Sequence, residues 1–491
     1  MRGRVAPFLL GCGIALGIGW RMLLQSVPGR LDAALGFGLL FIVLAVVSHR
    51  GLLHVPDSDR VLLGIPAVLL MIALIWRDSE ALFVVNLLAL AGLVAFARPV
   101  RVGLRARLLD SDVGDLVRRL LHVGRGVVFG AWPVLGAVRG PEPTRVPRSR
   151  WAAGFGVVAI SPVLLLFSLL LGSADPVFER LLGRLFNPEL VFQQVVPVLF
   201  WSWLGVGLLW ALTRAPSSTE VAPAGGRVSS SFIVGALAPI ALLFLAFLIV
   251  QSRYLFGGRA VVLGTADLSF SEYARRGFFE LVTVSAAMLP VLLVADWAAD
   301  QRAEQDRRRF RVLARTLLVL LTGLLGSALL RMAIYTREYG LTEQRLFTTV
   351  FMAWLAFVLA WFSASVLQSR RDRFSAGALG GALATLLLLN VAGPEQAIVR
   401  VNAWRAARGR PFDAAYLASL GAGAVPAALG VLDRLPVEAR CDAARRIDER
   451  WSGAATRVQP TWTIERWRAT GPLLEKMRHA VDTACDLNGR T

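Results

Sequence analysis

The chain reads as an all-α protein: a polytopic transmembrane helical bundle of about 11 spans with a small helical extracytoplasmic domain at its C-terminus. Three observations predict this. Of 491 residues, 56% are hydrophobic and 18% charged, with a mean hydropathy of +0.59, which is too apolar for a soluble chain of this size. Apolar runs of roughly 17 to 25 residues, the length that crosses a hydrocarbon core of about 30 Å, recur along the sequence. The stretch after residue 392 lacks such runs and turns polar.

The runs fall at 7–26, 31–48, 61–76, 80–97, 151–173, 192–213, 231–251, 277–297, 312–336, 346–367 and 375–392. The first is not read as a cleavable signal peptide, because no Ala-x-Ala site occurs before Trp20 and Arg21. The runs divide the chain into an N-terminal four-span region (1–97), a basic loop (98–150), a seven-span core (151–392) and a soluble helical domain (393–491).

Arginine placement sets the expected orientation, since basic residues in short loops stay cytoplasmic. With the N-terminus inside, the inner segments hold 25 basic residues and the outer loops 10; residues 98–150 alone hold 11. An odd number of spans then puts the C-terminal domain, residues 393–491, outside the cytoplasm. Within the basic loop, Leu116 to Val138 begins amphipathically (LVRRLLHV) and continues with 12 mostly apolar residues. Twelve is short for a span, so the expectation is an interfacial or re-entrant helix whose arginines meet anionic headgroups of the lipid bilayer.

Cys12 lies in the first apolar run as a small packing residue, whereas Cys441 and Cys485 both lie in the tail. A pair outside the cytoplasm is a candidate disulfide, the alternative being two unpaired buried thiols. The tail carries 15 basic and 11 acidic residues, a solvated surface rather than a nucleic-acid platform, and a candidate surface for a protein partner. Trp451, Trp462 and Trp467 are read as core or membrane-interface residues before a ligand-stacking face.

Polar residues concentrate where a membrane protein accommodates them least, in Ser269 to Glu280 (SFSEYARRGFFE) and Arg331 to Arg345 (RMAIYTREYGLTEQR). Tyr254, Tyr273, Tyr335 and Tyr339, four of five tyrosines, lie in or beside them. Ser269 and Glu272 have capping-box spacing. Glu272, Arg276 and Glu280 are four apart and share a helix face. Arg331 lies about one turn below Tyr335, at the depth of Glu280 on the preceding antiparallel span, so a Glu280–Arg331 contact is expected. With Tyr335, Glu338, Tyr339 and Arg345, these residues form one candidate polar site at the outer face. The bland alternative is a lock between two helices with tyrosines as interfacial anchors.

The strings YLFGG (Tyr254 to Gly258), SEYARRGFFEL (Ser271 to Leu281) and RMAIYTREYGLTEQRL (Arg331 to Leu346) resemble hallmark blocks of a bacterial membrane family catalogued as domain of unknown function 4153/4173. In the tail, NAWRAARGRPFDAAYLASLGAGAVPAAL (Asn402 to Leu429) is similar to that family's C-terminal block. The resemblance covers roughly residues 150 to 430. It implies a multi-pass plasma-membrane protein, some relatives being labelled permease components, and it supplies no activity. One departure stands out: Gly423 occupies the place before Ala-Val-Pro where the resemblance leads one to expect an acidic residue, which argues against cation binding there.

Enzyme chemistry is not legible. Lys476 is the sole lysine, so no phosphate-binding loop can form. His49, His54, His122 and His479 lie apart, without metal-ligand spacing, and no Ser-x-x-Lys or Gly-x-Ser-x-Gly occurs. Gly11, Gly13 and Gly17 imitate a nucleotide fingerprint, but in an apolar run they read as helix-packing surface. Asp296, Asp300 and Asp306 are followed by Arg307, Arg308, Arg309 and Arg311, and mutual neutralisation is the simpler reading. No catalytic residue, metal or cofactor is therefore predicted. The leading expectation is a transporter or permease component; the alternative is an envelope sensor or scaffold, with a lipid-linked envelope enzyme third.

Overall fold

A computed structural model describes residues 5–26, 29–53, 55–98, 108–138, 191–214, 229–256, 278–299, 304–455 and 461–486. Among them the regular elements are helical, without a β-strand. The membrane-length helices are α1 (Val5–Ser26), α2 (Gly29–His49), α3 (Asp57–Trp76), α4 (Glu80–Phe96), α7 (Val196–Thr213), α8 (Ser230–Phe256), α9 (Phe278–Ala298), α10 (Glu304–Tyr339), α11 (Glu343–Ser365) and α12 (Arg371–Ala392). Between α4 and α7 come α5 (Val113–Phe129) and α6 (Ala131–Val138). After α12 come α13 (Pro394–Ala406), α14 (Ala414–Ser419), α15 (Val425–Val431), α16 (Val437–Ala455), α17 (Ile464–Thr470) and α18 (Leu474–Asp486).

Nine of these are long and apolar enough to cross a membrane among the described residues. Of the 11 expected spans, 80–97 is the helix α4, apolar but 17 residues long, and 151–173 lies outside the described residues. The protein is thus an all-helical, multi-pass membrane protein. The ninth expected span is longer than its apolar core: α10 runs 36 residues, about 54 Å at 1.5 Å per residue, so both ends project beyond a hydrocarbon layer of about 30 Å. Its charged first turn (Glu304, Asp306) and its last (Arg337) suit that projection.

Contacts gather the chain into two compact units that interleave in sequence, residues 1–57, 94–99 and 117–215 in one and 58–93, 100–116 and 216–491 in the other. They do not follow the four consecutive stretches read from the sequence.

In the first unit, α1 and α7 run antiparallel and touch through small residues. A Cβ at Gly17 would lie 2.6 Å from the Ser202 amide nitrogen, and one at Gly13 would lie 2.8 Å from that of Val206. Gly13 and Gly17 are therefore close-packing positions, whereas Gly11 faces open space. Gly17→Leu is expected to push the helices apart and cost about 3 kcal/mol, read as a lower melting temperature in detergent, while Gly11→Leu leaves it unchanged.

The amphipathic stretch is bent by 54° between α5 and α6. Arg119 of α5 donates to the Phe96 carbonyl (2.7 Å) and Arg98 to that of Ala211 (3.1 Å), each satisfying a carbonyl in the last turn of a helix as a C-terminal cation does. Beyond the bend, Pro133 and Ala137 line a small cavity with Val5, Leu52, Thr213 and Arg214. The stretch thus starts beside the C-terminal ends of α4 and α7 and finishes beside that of α7 and the start of α1, at one end of the unit. Of its arginines, Arg119 is buried at 1% exposure, as is Arg98, so neither is free to meet headgroups; Arg125 is exposed.

The second unit packs around α10. Phe310, Ala314, Leu317, Leu321, Leu324 and Ala328 are buried at alternating spacings of four and three, one continuous helix face. Met288 and Leu292 of α9, Leu237 and Phe244 of α8, and Met352, Leu355 and Phe362 of α11 belong to the same core. Some of its polar interior groups are paired: Ser327 donates to Gln251 (2.6 Å), and Asn86 and Asn390 exchange amide hydrogen bonds (3.0 and 2.9 Å). Asp296 pairs with Arg371 of α12 at 2.5 Å.

A separate core of Ile398, Leu417, Val425, Ile447, Trp451 and Met477 organises α13 to α18. Cys441 of α16 and Cys485 of α18 are joined by a disulfide with Cα atoms 4.9 Å apart. Trp451 fills this core, while Trp462 and Trp467 are exposed.

Candidate functional site

The site is built where α9 begins, α10 ends and α11 begins. Gly340 takes φ +83°, a conformation that suits glycine, and stops α10. Thr342 then accepts a hydrogen bond from the Arg345 amide (3.4 Å) and caps α11. This sharp reversal sets Tyr335, on the last turns of α10, beneath Arg345, whose guanidinium lies 4.2 Å from the Tyr335 ring centroid. Arg345 also donates to the Gly340 carbonyl.

These residues border a cavity of about 540 Å3. Phe278, Phe279, Met332 and Tyr335 give it an apolar wall; Thr342, Glu343, Gln344, Arg345 and Thr348 give it a polar one. Tyr416, from the C-terminal domain, completes the lining, and its hydroxyl accepts from the Glu343 amide at 2.9 Å. Burial pushes the Tyr416 phenol up from its ordinary value, so it stays a neutral hydroxyl. The arrangement can hold a molecule with an apolar body and a polar or anionic end, since Arg345 is the cation in its lining. It offers no nucleophile–base pair.

Of the residues singled out in the sequence, Tyr335 and Arg345 line the cavity. Arg331 is buried one turn below Tyr335. Tyr339 stacks near Tyr335 with centroids 5.0 Å apart but is exposed. Glu338 pairs with Arg410 of the C-terminal domain at 2.8 Å. Tyr254 is in the last turn of α8, and Glu272, Tyr273 and Arg276 lie outside the described residues.

The expected Glu280–Arg331 contact does not form. The buried face of α9 is Phe278, Leu281, Val282, Ser285 and Met288, a three-and-four spacing that excludes position 280. Glu280 is exposed and makes no ion pair among the described residues. Matching depth along two helices leaves rotation about the helix axis undetermined.

Phe278, Phe279, Thr342, Glu343, Gln344, Thr348 and Tyr416 were not singled out. All but Thr348 and Tyr416 fall within or beside the polar strings, a signal that was available. Tyr416 was not reachable, because nothing in the tail says which face of it meets the bundle.

Tertiary structure also joins two of the quoted strings. Asn402 exchanges hydrogen bonds with the backbone of Leu341 (2.8 Å each way). Arg405 donates to the carbonyls of Arg337 (3.0 Å) and Glu338 (2.7 Å), which satisfies the C-terminal carbonyls of α10.

A second polar cluster lies beneath the C-terminal domain. Arg77, in the turn between α3 and α4, pairs with Glu465 at 2.6 Å, both side chains being almost fully buried. Glu465 also accepts from the Asp78 amide (2.9 Å). Arg77 caps α12 by donating to the Val391 carbonyl (2.9 Å). Asp78 accepts from the Ala422 amide (3.0 Å) and pairs with Arg466 (3.2 Å). A Cβ at Gly423 would stand 2.7 Å from the Glu465 carboxylate. The acidic group absent at 423 is thus replaced in space by Glu465.

A many-span helical bundle with a docked helical domain and a cavity between them defines a membrane-protein class without announcing a reaction. The chain belongs to the family described as domain of unknown function (DUF4153), whose model matches residues 64–430. No curated protein and no solved structure matches the chain.

Proposed function

We propose that this protein is a transporter or permease component of a bacterial plasma (inner) membrane, taking a solute or lipid headgroup at the cavity between α9, α10, α11 and Tyr416. The observation that carries this reading is the cavity. Its volume of about 540 Å3 falls in the range of small-molecule sites, about 300 to 1,000 Å3, and its lining divides into an apolar and a polar wall.

Basic-residue bias supports a cytoplasmic N-terminus, and the disulfide supports an extracytoplasmic C-terminal domain. The contact between the α3–α4 turn and the C-terminal domain through Arg77 and Glu465 supports placing the two on one side of the membrane.

Thr348→Trp places an indole in the cavity without touching a buried charge. Native mass spectrometry of protein extracted with its lipids is expected to show a bound small molecule or lipid on the wild type that this variant has lost, at an unchanged melting temperature. Identical mass distributions would remove the cavity as a binding site.

The alternative, an envelope sensor or scaffold, is favoured by a different observation: the buried ion cluster makes the C-terminal domain a fixed cap on the bundle. Under that reading, variants in the domain abolish association with a partner and leave flux unaffected.

A further inference from the structure

Glu395 is the second residue of α13, just beyond the end of α12. It is fully buried at 0% exposure, and neither carboxyl oxygen has a hydrogen-bond partner among the described residues. Four elements surround it. Glu343 faces it from α11, Glu465 from α17 and Arg77 from the α3–α4 turn. Asp78 of that turn lies across Gly421, where the missing side chain leaves a space: a Cβ there would stand 3.5 Å from both Glu395 Oε1 and Asp78 Oδ2. Arg450 of α16 interacts with Asp78 and Arg466 from the exposed side.

Charge counting excludes an ionised Glu395 in this setting. Arg77 is matched by Glu465 and Arg466 by Asp78, so the buried cluster is balanced without it. A further carboxylate would have no counter-ion to itself and no donor beyond its own backbone amide, and an uncompensated buried charge neutralises instead of persisting. We propose that Glu395 is a proton-binding site, neutral while the C-terminal domain is docked, and that losing its proton weakens the hold of that domain on the α3–α4 turn. Repulsion would fall on Glu465, the residue that holds both Arg77 and the Asp78 amide.

Burial, with Glu465 and Glu343 adding to it, pushes the Glu395 carboxyl up to about 7, against a partial offset from its own amide and from Arg77. The sign follows from linkage. The docked value lies above the ordinary 4.5, so docking is fullest below that pH and weakens as pH rises toward about 7. Across this window the opening equilibrium grows by about tenfold per pH unit. The inference does not depend on what the cavity binds.

The test uses the full-length protein in lipid nanodiscs. Difference infrared spectroscopy across a pH titration reads the protonated carboxyl, and hydrogen exchange of the α17 amides, corrected for intrinsic rate, reads docking. In the wild type a carboxyl band is expected to vanish near neutral pH, and α17 to lose protection progressively as pH rises from 4.5 toward about 7. Glu395→Gln, neutral and of the same shape, is expected to lack the band and to hold its protection constant. A band that survives in Glu395→Gln, or one that does not titrate in the wild type, overturns the site. Exchange in Glu395→Gln that follows the wild-type pH course overturns the coupling. Glu343→Gln keeps the test open if Glu395→Gln does not fold: removing the neighbouring negative charge moves the midpoint to lower pH, and an unmoved midpoint overturns the assignment.

Discussion

Glu465→Ala is expected to cost about 3 to 5 kcal/mol, because it leaves Arg77 charged and buried with its partner removed. Arg77 and Glu465 are 4% and 6% exposed, so water cannot replace the carboxylate. The variant also strips the Asp78 amide of its acceptor, a second unsatisfied group in the same place. The loss should appear as a lower melting temperature and as early protease cleavage between α13 and α18. Arg77→Met combined with Glu465→Leu separates the charge from the packing. Replacing both partners by apolar side chains is often close to neutral, but Arg77 also satisfies the Val391 carbonyl, so recovery should be partial. A single Glu465→Ala variant with wild-type stability would mean that the cluster does not hold the domain.

Removing the disulfide is the second large effect. Cys441 and Cys485 are 44 residues apart in sequence, and opening a loop of that length restores chain entropy worth about 4 kcal/mol to the unfolded domain. Cys441→Ser with Cys485→Ser should therefore melt the C-terminal domain well below the oxidised wild type, while the α1–α7 contact is untouched. The same bond reports compartment. Alkylation of intact cells is expected to label neither cysteine until reductant is added. Labelling of both without reductant would place the domain in a reducing compartment and remove the orientation proposed above.

Much of the membrane architecture was legible because hydropathy is a property of contiguous residues. Each apolar run from 7–26 to 375–392 met a helix wherever the residues are described, and Gly13 and Gly17 were correctly read as packing surface. The helix α10 starts about two turns before its apolar run, at Glu304, because hydropathy marks only the lipid-facing length of a helix and Glu304 to Arg311 is charged. Tyr335 and Arg345 were legible as cavity residues because polar groups at the edge of an apolar run stand out. Glu280 failed for a geometric reason: one position along a helix rotates a side chain by about 100°, and a depth argument carries no rotation.

The cluster under the C-terminal domain was not legible. Arg77-Asp78-Ser79 looks like any short solvated turn between two spans, and Glu395 and Glu465 look like ordinary surface carboxylates in a tail of mixed charge. Their burial comes from one another, across 388 residues of chain between Arg77 and Glu465.

By itself the sequence determined that this protein is a helical membrane protein of many spans, where those spans lie, and that polar residues gather at the ends of α9, α10 and α11. Only the tertiary structure decided that Tyr416 completes the lining of the cavity, that α5 and α6 meet at a bend of 54°, and that Arg77, Asp78, Glu395 and Glu465 share one buried space. The reason is range. Partition into a membrane is summed over neighbours in the chain, whereas the cost of burying a charge is settled by whichever distant residue arrives to meet it.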